Sequence, residues 1–146
     1  MKTIRTLEEL SEEAKALLTR LAPCSEDATL ITLSGELGAG KTAFVKEVAK
    51  ELGITEDVTS PTFVLEKIYV LPEGKSFTHL VHIDAYRLKD GENLSSLGFD
   101  ELMQDSRSLI MLEWPERIAE HLPPSSAKIS LSPKSDGTRT IDIIYA

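Results

Sequence analysis

"ATLITLSGELGAGKTAFVKEVAKELG", residues 28–53, changes its periodicity twice within a short span. "ATLITLSG" is a short apolar run rich in β-branched residues and reads as a buried strand. "KTAFVKEVAKELG" carries a helical pattern that Gly53 stops. Between them, Gly35 to Thr42 fits GxxxxGK[ST], in which glycines let backbone N–H groups close around phosphate oxygens at a helix N-terminus. Glu36, Leu37, Gly38, Ala39, Gly40, Lys41, Thr42 and Ala43 are therefore expected to line the phosphates of a nucleotide. Lys41 reaches the β and γ phosphates in this reading, and the Thr42 hydroxyl ligates Mg²⁺. Ala43 stands where many phosphate loops carry a second hydroxyl that touches the α-phosphate, a hydrogen bond worth about 1 kcal/mol.

The chain of 146 residues, 41% apolar, is long enough for one compact core, so residues 1–146 are expected to form one domain. No apolar run approaches the roughly 20 residues of a membrane span, and "MKTIRTLEELSEEA" lacks the apolar centre of a secretion signal. A cytoplasmic protein without membrane attachment is expected. The single Cys24 has no partner for an intramolecular disulfide and no Cys or His nearby to make it a nucleophile or metal ligand. Sixteen basic against twenty-four acidic residues give a net charge of −8, which disfavours nonspecific binding to a phosphate backbone. Nucleic acid, if involved, is expected to be held by a partner.

Working outward, Thr6-Leu-Glu-Glu9 forms a capping-box pattern, and Leu7, Leu10, Ala14, Leu17, Leu18 and Leu21 follow at helical spacing up to Pro23. "TFVLEKIYVL" (62–71) and "SFTHLVHIDAY" (76–86) read as strands whose "PEGK" turn is short enough to pair them antiparallel. "ENLSSLGFDELM" suggests helical pieces broken at Gly98. "SLIMLE" (108–113) reads as a buried strand, with Pro115 opening a helix to about Leu122 before Pro123 and Pro124. "AKISLSP" and "RTIDIIYA", around Ser135-Asp136-Gly137, read as a terminal hairpin. The pattern predicts an α/β fold, a P-loop NTPase-like three-layer sandwich with a mixed, partly antiparallel central sheet.

Two apolar strands end in a carboxylate, "LVHID" at Asp84 and "LIMLE" at Glu113. If both run parallel to the strand before Gly35, their carboxyl ends share one edge with the phosphate loop, and either acid can serve Mg²⁺. The antiparallel partner of the Asp84 strand begins near that same edge. "TSPTF" (59–63) is therefore expected there, with the Thr62 hydroxyl answering to the metal or γ-phosphate as a switch loop does. His79 and His82 fall on opposite strand faces and are no metal pair, whereas His82 shares a face with Asp84 and is read as a hydrogen-bonded packing residue or a proton or phosphate contact. Arg87 is placed to offset phosphate charge or pair with a carboxylate, and Trp114 is read as core or as stacking near the nucleotide.

Guanine-specific switch proteins need an Asn-Lys-x-Asp base reader and a DxxG switch. The sole Asn, Asn93, precedes Leu94, and no DxxG occurs, which argues against GTP. "GELGAGKTAF", "TSPTF", "HIDAYRL", "LGFDE" and "LEWPERI", in this order and at these spacings, resemble the bacterial TsaE (YjeE) family over most of the chain, to about Leu122. The resemblance implies a small P-loop ATPase of tRNA threonylcarbamoyladenosine biosynthesis that works with TsaD and TsaB, the partners carrying the transferase chemistry and the tRNA. It also implies Lys41 and Thr42 as phosphate and Mg²⁺ residues, Glu113 as a metal-side carboxylate, Asp84 as an acid for metal or attacking water, and Thr62 as the switch threonine. Ala43 departs from the hydroxyl usual in the family. Two other readings of the phosphate loop stand beside this one: a stand-alone kinase of a small metabolite, and a non-catalytic binding module gated by nucleotide.

Overall fold

The computed structural model describes residues 1–24, 26–56, 58, 66–87 and 97–146. In chain order the elements are β1 (Lys2–Ile4), α1 (Leu7–Arg20), β2 (Thr29–Ser34), α2 (Lys41–Glu51), β3 (Glu66–Val70), β4 (His79–Asp84), α3 (Phe99–Met103), β5 (Ser108–Glu113), β6 (Ala127–Pro133) and β7 (Arg139–Tyr145). Among the described residues, seven strands form one sheet in the order β1-β7-β6-β2-β5-β4-β3.

The middle of that order follows from apolarity. β5, "SLIMLE", is buried at every position, and β2, "TLITLS", at all but its last. Strands so covered need neighbours on both edges and layers on both faces. β2 pairs in parallel with β5 and with β6, and β5 in parallel with β4. β3, whose exposed positions alternate with a buried Tyr69 toward its end, closes one side antiparallel to β4. The β6–β7 hairpin closes the other, with β1 antiparallel on β7.

Alternating side chains divide the core into two layers. Ile31, Leu33, Leu109 and Met111 pack with Leu10, Ala14 and Leu17 of α1 and Phe44, Val45 and Val48 of α2. Leu30, Val81, Ile83, Ile110 and Leu112 face the other way, onto Phe99 of α3 and Ile118. This is the expected three-layer α/β sandwich with a mixed sheet.

The predicted cap of α1 is present: Glu9 N donates to Thr6 Oγ1 at 3.1 Å, while the Glu9 carboxylate accepts from Arg5 N at 2.8 Å. The helix ends at Arg20, short of Pro23, because Leu21 is already extended with ψ 141°. Leu7 keeps the helical spacing but is exposed, so the buried stripe begins at Leu10. The helix expected from Pro115 to Leu122 is replaced by two 3-10 turns, Pro115–Arg117 and Ala119–His121. Pro115 does occupy a first helical position, but Ile118, at φ −137°, breaks the run before an α-helix can propagate. β1 was not expected, since three residues carry too little pattern and its pairing comes from the far end of the chain. The proposed strand start at residues 62–65 and the helical piece at 92–96 lie outside the described residues. Cys24 is exposed, its Sγ 3.7 Å from Thr29 Oγ1. Among the described residues no helix is long and apolar enough to cross a membrane.

Glu66, at the start of β3, buries its Oε2 without a hydrogen-bond partner among the described residues. Burial pushes its carboxyl above the usual value of 4.5. Between 4.5 and the raised value the folded chain holds a proton that the unfolded chain has lost, so stability falls as pH rises through this window. Glu66→Gln is expected to melt above wild type at neutral pH, by the equivalent of less than about 1 kcal/mol because the group is partly solvated. The difference should vanish in thermal melts near about pH 4, whereas a gain that ignores pH contradicts this origin.

Candidate functional site

Parallel pairing delivers three strand ends to one edge. Asp84 of β4 lies directly beside Glu113 of β5, and Leu33 of β2 beside Glu113 on its other side. From there the chain turns at Gly35, whose φ of 151° places it outside the usual L-residue regions and whose α-carbon lies so close to the Leu131 carbonyl of β6 that a Cβ has no room. The loop then enters α2 through Gly40, left-handed at φ 102°. Unpaired N–H groups at such a helix start, with backbone free to approach a ligand, suit phosphate oxygens.

A cavity of about 310 Å³ opens above this turn, lined by Leu37 through Ala43, Asp84, Glu113, Trp114 and Arg139. Of the loop positions singled out in the sequence, Leu37, Gly38, Ala39, Gly40, Lys41, Thr42 and Ala43 all line it. Glu36 instead contributes its backbone carbonyl, which accepts from Lys41 Nζ at 3.1 Å. Thr62 lies outside the described residues.

Lys41 is 5% exposed, donates also to Gly35 O, and places its Nζ 4.0 Å from the centre of the Trp114 ring. Burial pushes its ammonium below the usual value, against the raising influence of Glu113, Glu116, Asp84 and Glu36. Trp114 reaches the lysine because its backbone turns left-handed at φ 63°, while its N–H donates to Leu33 O at 3.1 Å. The indole is thus half-buried, packed against the second core layer while its face lies over the lysine.

Glu113 is 3% exposed, and both of its neighbours hold it. Thr42 Oγ1 lies 3.0 Å from Oε2 and 3.3 Å from Oε1, and His82 Nε2 lies 2.5 Å from Oε2. His82 is fully buried and its Nδ1 has no partner among the described residues. Nδ1 meets no acceptor among the described residues, so the ring hydrogen placed to make a bond is the one on Nε2, which donates to Glu113. Of the two roles the sequence left open for His82, the geometry gives the hydrogen-bonded packing one, directed at a carboxylate. Asp84 Oδ1 accepts from Tyr86 N at 2.9 Å, which fixes the acid at the strand end while it lines the cavity.

The arrangement offers N–H donors and a lysine to an anion, and a hydroxyl with two carboxylates to a cation. All three cation donors are oxygens, the set that suits Mg²⁺. Among the described residues no group of three or more His, Cys, Asp or Glu side chains forms a metal cage. Arg139, first residue of β7, was not singled out in the sequence. Its nearness to the phosphate loop depends on the sheet order, which no local pattern encodes. His82→Ala, which leaves Glu113 buried with one donor fewer, is expected to cost about 2 to 3 kcal/mol in urea unfolding. An unchanged unfolding midpoint contradicts the shared bond.

The family model described as "Threonylcarbamoyl adenosine biosynthesis protein TsaE" matches residues 8–141. A protein of Treponema pallidum (strain Nichols), named tRNA threonylcarbamoyladenosine biosynthesis protein TsaE, is 40% identical over 118 residues, covering 81% of this chain and 83% of its own. The protein of the same name from Bacillus subtilis (strain 168) is 38% identical over 133 residues, covering 89% of this chain and 78% of its own. The crystal structure of Bacillus subtilis YdiB superposes with a TM-score of 0.75 at 30% identity, over 99% of this chain and 83% of that one. The match runs through the phosphate loop, both carboxylate-ended strands and most of the terminal hairpin, and the chain belongs to the TsaE family.

Proposed function

We propose that this chain is a single-domain, cytoplasmic, Mg²⁺-dependent ATPase that serves tRNA threonylcarbamoyladenosine biosynthesis together with TsaD and TsaB, meeting tRNA only through those partners. The observation that carries the reading is the buried Glu113 carboxylate, held by Thr42 Oγ1 at 3.0 Å and His82 Nε2 at 2.5 Å beside Lys41. An ATPase needs positive donors for the phosphates, oxygen ligands for a divalent cation, and an acid to orient water; one cavity here is lined by candidates for each. The names of the relatives supply the pathway, and the net charge of −8 fits a subunit that leaves the tRNA to others.

Lys41 exchanges its loop carbonyls for β- and γ-phosphate oxygens, which restores the charge partner its burial withholds. Thr42 and Glu113 would hold Mg²⁺, which when bound would supply positive charge against the phosphoryl oxygens. The Thr42–Glu113 contact supports a metal-side role for Glu113. Asp84, with one oxygen committed to Tyr86 N, has the other for orienting the attacking water. The Trp114 face and the α2 N-terminus keep the lysine and the phosphates aligned without a proton transfer of their own. Thr62 is assigned to sensing the metal or γ-phosphate.

Hydrolysis by the isolated chain is expected to be slow and to rise on adding the transferase pair. Asp84→Ala and Glu113→Ala should each lower the stimulated rate by about 100-fold and stop tRNA modification while the complex still forms. Modification that continues without hydrolysis would leave a nucleotide-gated binding module, and a phosphorylated metabolite in place of free phosphate would make the chain a kinase.

A further inference from the structure

The two faces of the sheet are covered to different widths. On the face of Ile31 and Leu33 the core layer extends across the hairpin, taking in Ala127, Ile129, Leu131 and Ile141. On the other face the layer around Phe99 and Ile118 covers β4, β5 and the start of β2, and among the described residues nothing from β6 or β7 joins it. β6 shows the difference along its own length: Ala127, Ile129 and Leu131 are buried, while Lys128, Ser130 and Ser132 are exposed. Where the narrower layer stops, a cavity of about 810 Å³ opens. Thr32, Ser34, Lys128 and Ser130 of the parallel β2–β6 pair form its floor, with Ile144 of β7 beyond them. Pro115, Ala119, Leu122 and Pro123, from the 3-10 turns and the chain after them, form its wall. A hairpin face left to water is ordinary. Two residues here depart from that: Ile144 is apolar yet 59% exposed, and Thr32 is 6% exposed yet its hydroxyl has no hydrogen-bond partner among the described residues.

The charges of this groove define what fits it. Lys128 lies in register with Thr32, while the Glu116 carboxylate accepts from the Ser34 hydroxyl at 3.5 Å, so cation and anion stand at opposite ends of the Thr32–Ser34 stretch. Neither has an ion-pair partner among the described residues. A helix laid along the strands, its N-terminus over Glu116 and its C-terminus over Lys128, meets both charges with the complementary ends of its dipole. α2 has the same orientation, starting where β2 ends. An apolar stripe on the incoming helix, at helical spacing, covers Ile144 and the wall, and a polar group beside the stripe reaches Thr32. Ser34 immediately precedes Gly35, whose carbonyl accepts from Lys41, so the groove ends where the phosphate loop begins.

We propose that the groove between the 3-10 turns and the β2–β6 floor docks one amphipathic helix of a protein partner, its N-terminus toward Glu116 and its C-terminus toward Lys128. The helix completes the layer that this chain leaves half built. This rests on the reading above that the chain works with the transferase pair, and adds to it the surface by which the pair is held.

Binding of the full chain to the TsaD–TsaB pair, measured by biolayer interferometry with Mg²⁺ and ATP, tests it. K128E reverses the charge under the helix C-terminus, A119R fills the groove from its exposed wall, and L7E, 60% exposed on α1, is the control. K128E and A119R should each weaken binding by about 10-fold, the loss expected for a repelled charge or a blocked anchor. L7E should bind as wild type does, and calorimetric titration with ADP should give wild-type affinity for all three, since none lines the nucleotide cavity. Thermal melts identify folded variants, and I144E stands in for either groove variant that fails to fold. The proposal is overturned if K128E and A119R both bind the pair within about twofold of wild type, or if L7E loses as much as they do. A benzophenone label on A119C, in a Cys24→Ser chain, should capture residues three or four apart in one segment of the pair. Capture of alternate residues would make the occupant a strand, and capture of a second copy of this chain would make the face a self-contact; either result overturns the proposal. Failure of wild type to bind the pair at all would remove the partner reading and this proposal with it.

Discussion

The site depends on one buried carboxylate. Glu113 is 3% exposed at the end of a strand covered along its whole length, where an unpaired negative charge would be costly. It is retained because His82 and Thr42 both donate to it, one from the neighbouring parallel strand and one from the first turn of α2. Those bonds tie β4, β5 and α2 together at the point where the glycine loop opens. The register that sets His82 against Met111 and Asp84 against Glu113 puts the donor two residues back from the acid it serves, on the same face of the sheet.

The rest of the edge follows from this arrangement. Trp114 continues directly from Glu113 into a left-handed turn, donates its N–H to β2, and lays its ring against Lys41. Gly35 lets the chain leave β2 while touching β6, and Gly40 lets it enter α2 beneath Arg139. Substitutions at these positions act through backbone spacing as well as chemistry, so a loss of binding at either glycine says little about which side chains contact the ligand.

The sequence was readable wherever a local pattern carried the information. Buried apolar runs announced β2 and β5, the capping box announced α1, and GxxxxGK[ST] between a strand and a helix announced the loop. The shared edge of Asp84 and Glu113 was legible as a condition on strand direction, which the parallel pairing meets. Two features depended on distant partners and left no local trace: the pairing of β1 with β7 and the approach of Arg139 to Gly40. The His82–Glu113 bond was half legible, since alternation placed His82 on the right face but only the register named its acceptor.

In the proposed function, phosphates engage Lys41 at the edge shared by the acids. The chain has a single tryptophan, and its ring lies 4.0 Å from Lys41 Nζ, so its emission reports on that lysine. Titrating Trp114 fluorescence with ATP in Mg²⁺ should give a saturable change that adenosine does not produce and that Lys41→Ala abolishes. An equal response to adenosine, or none to ATP up to millimolar concentration, would contradict phosphate engagement of Lys41.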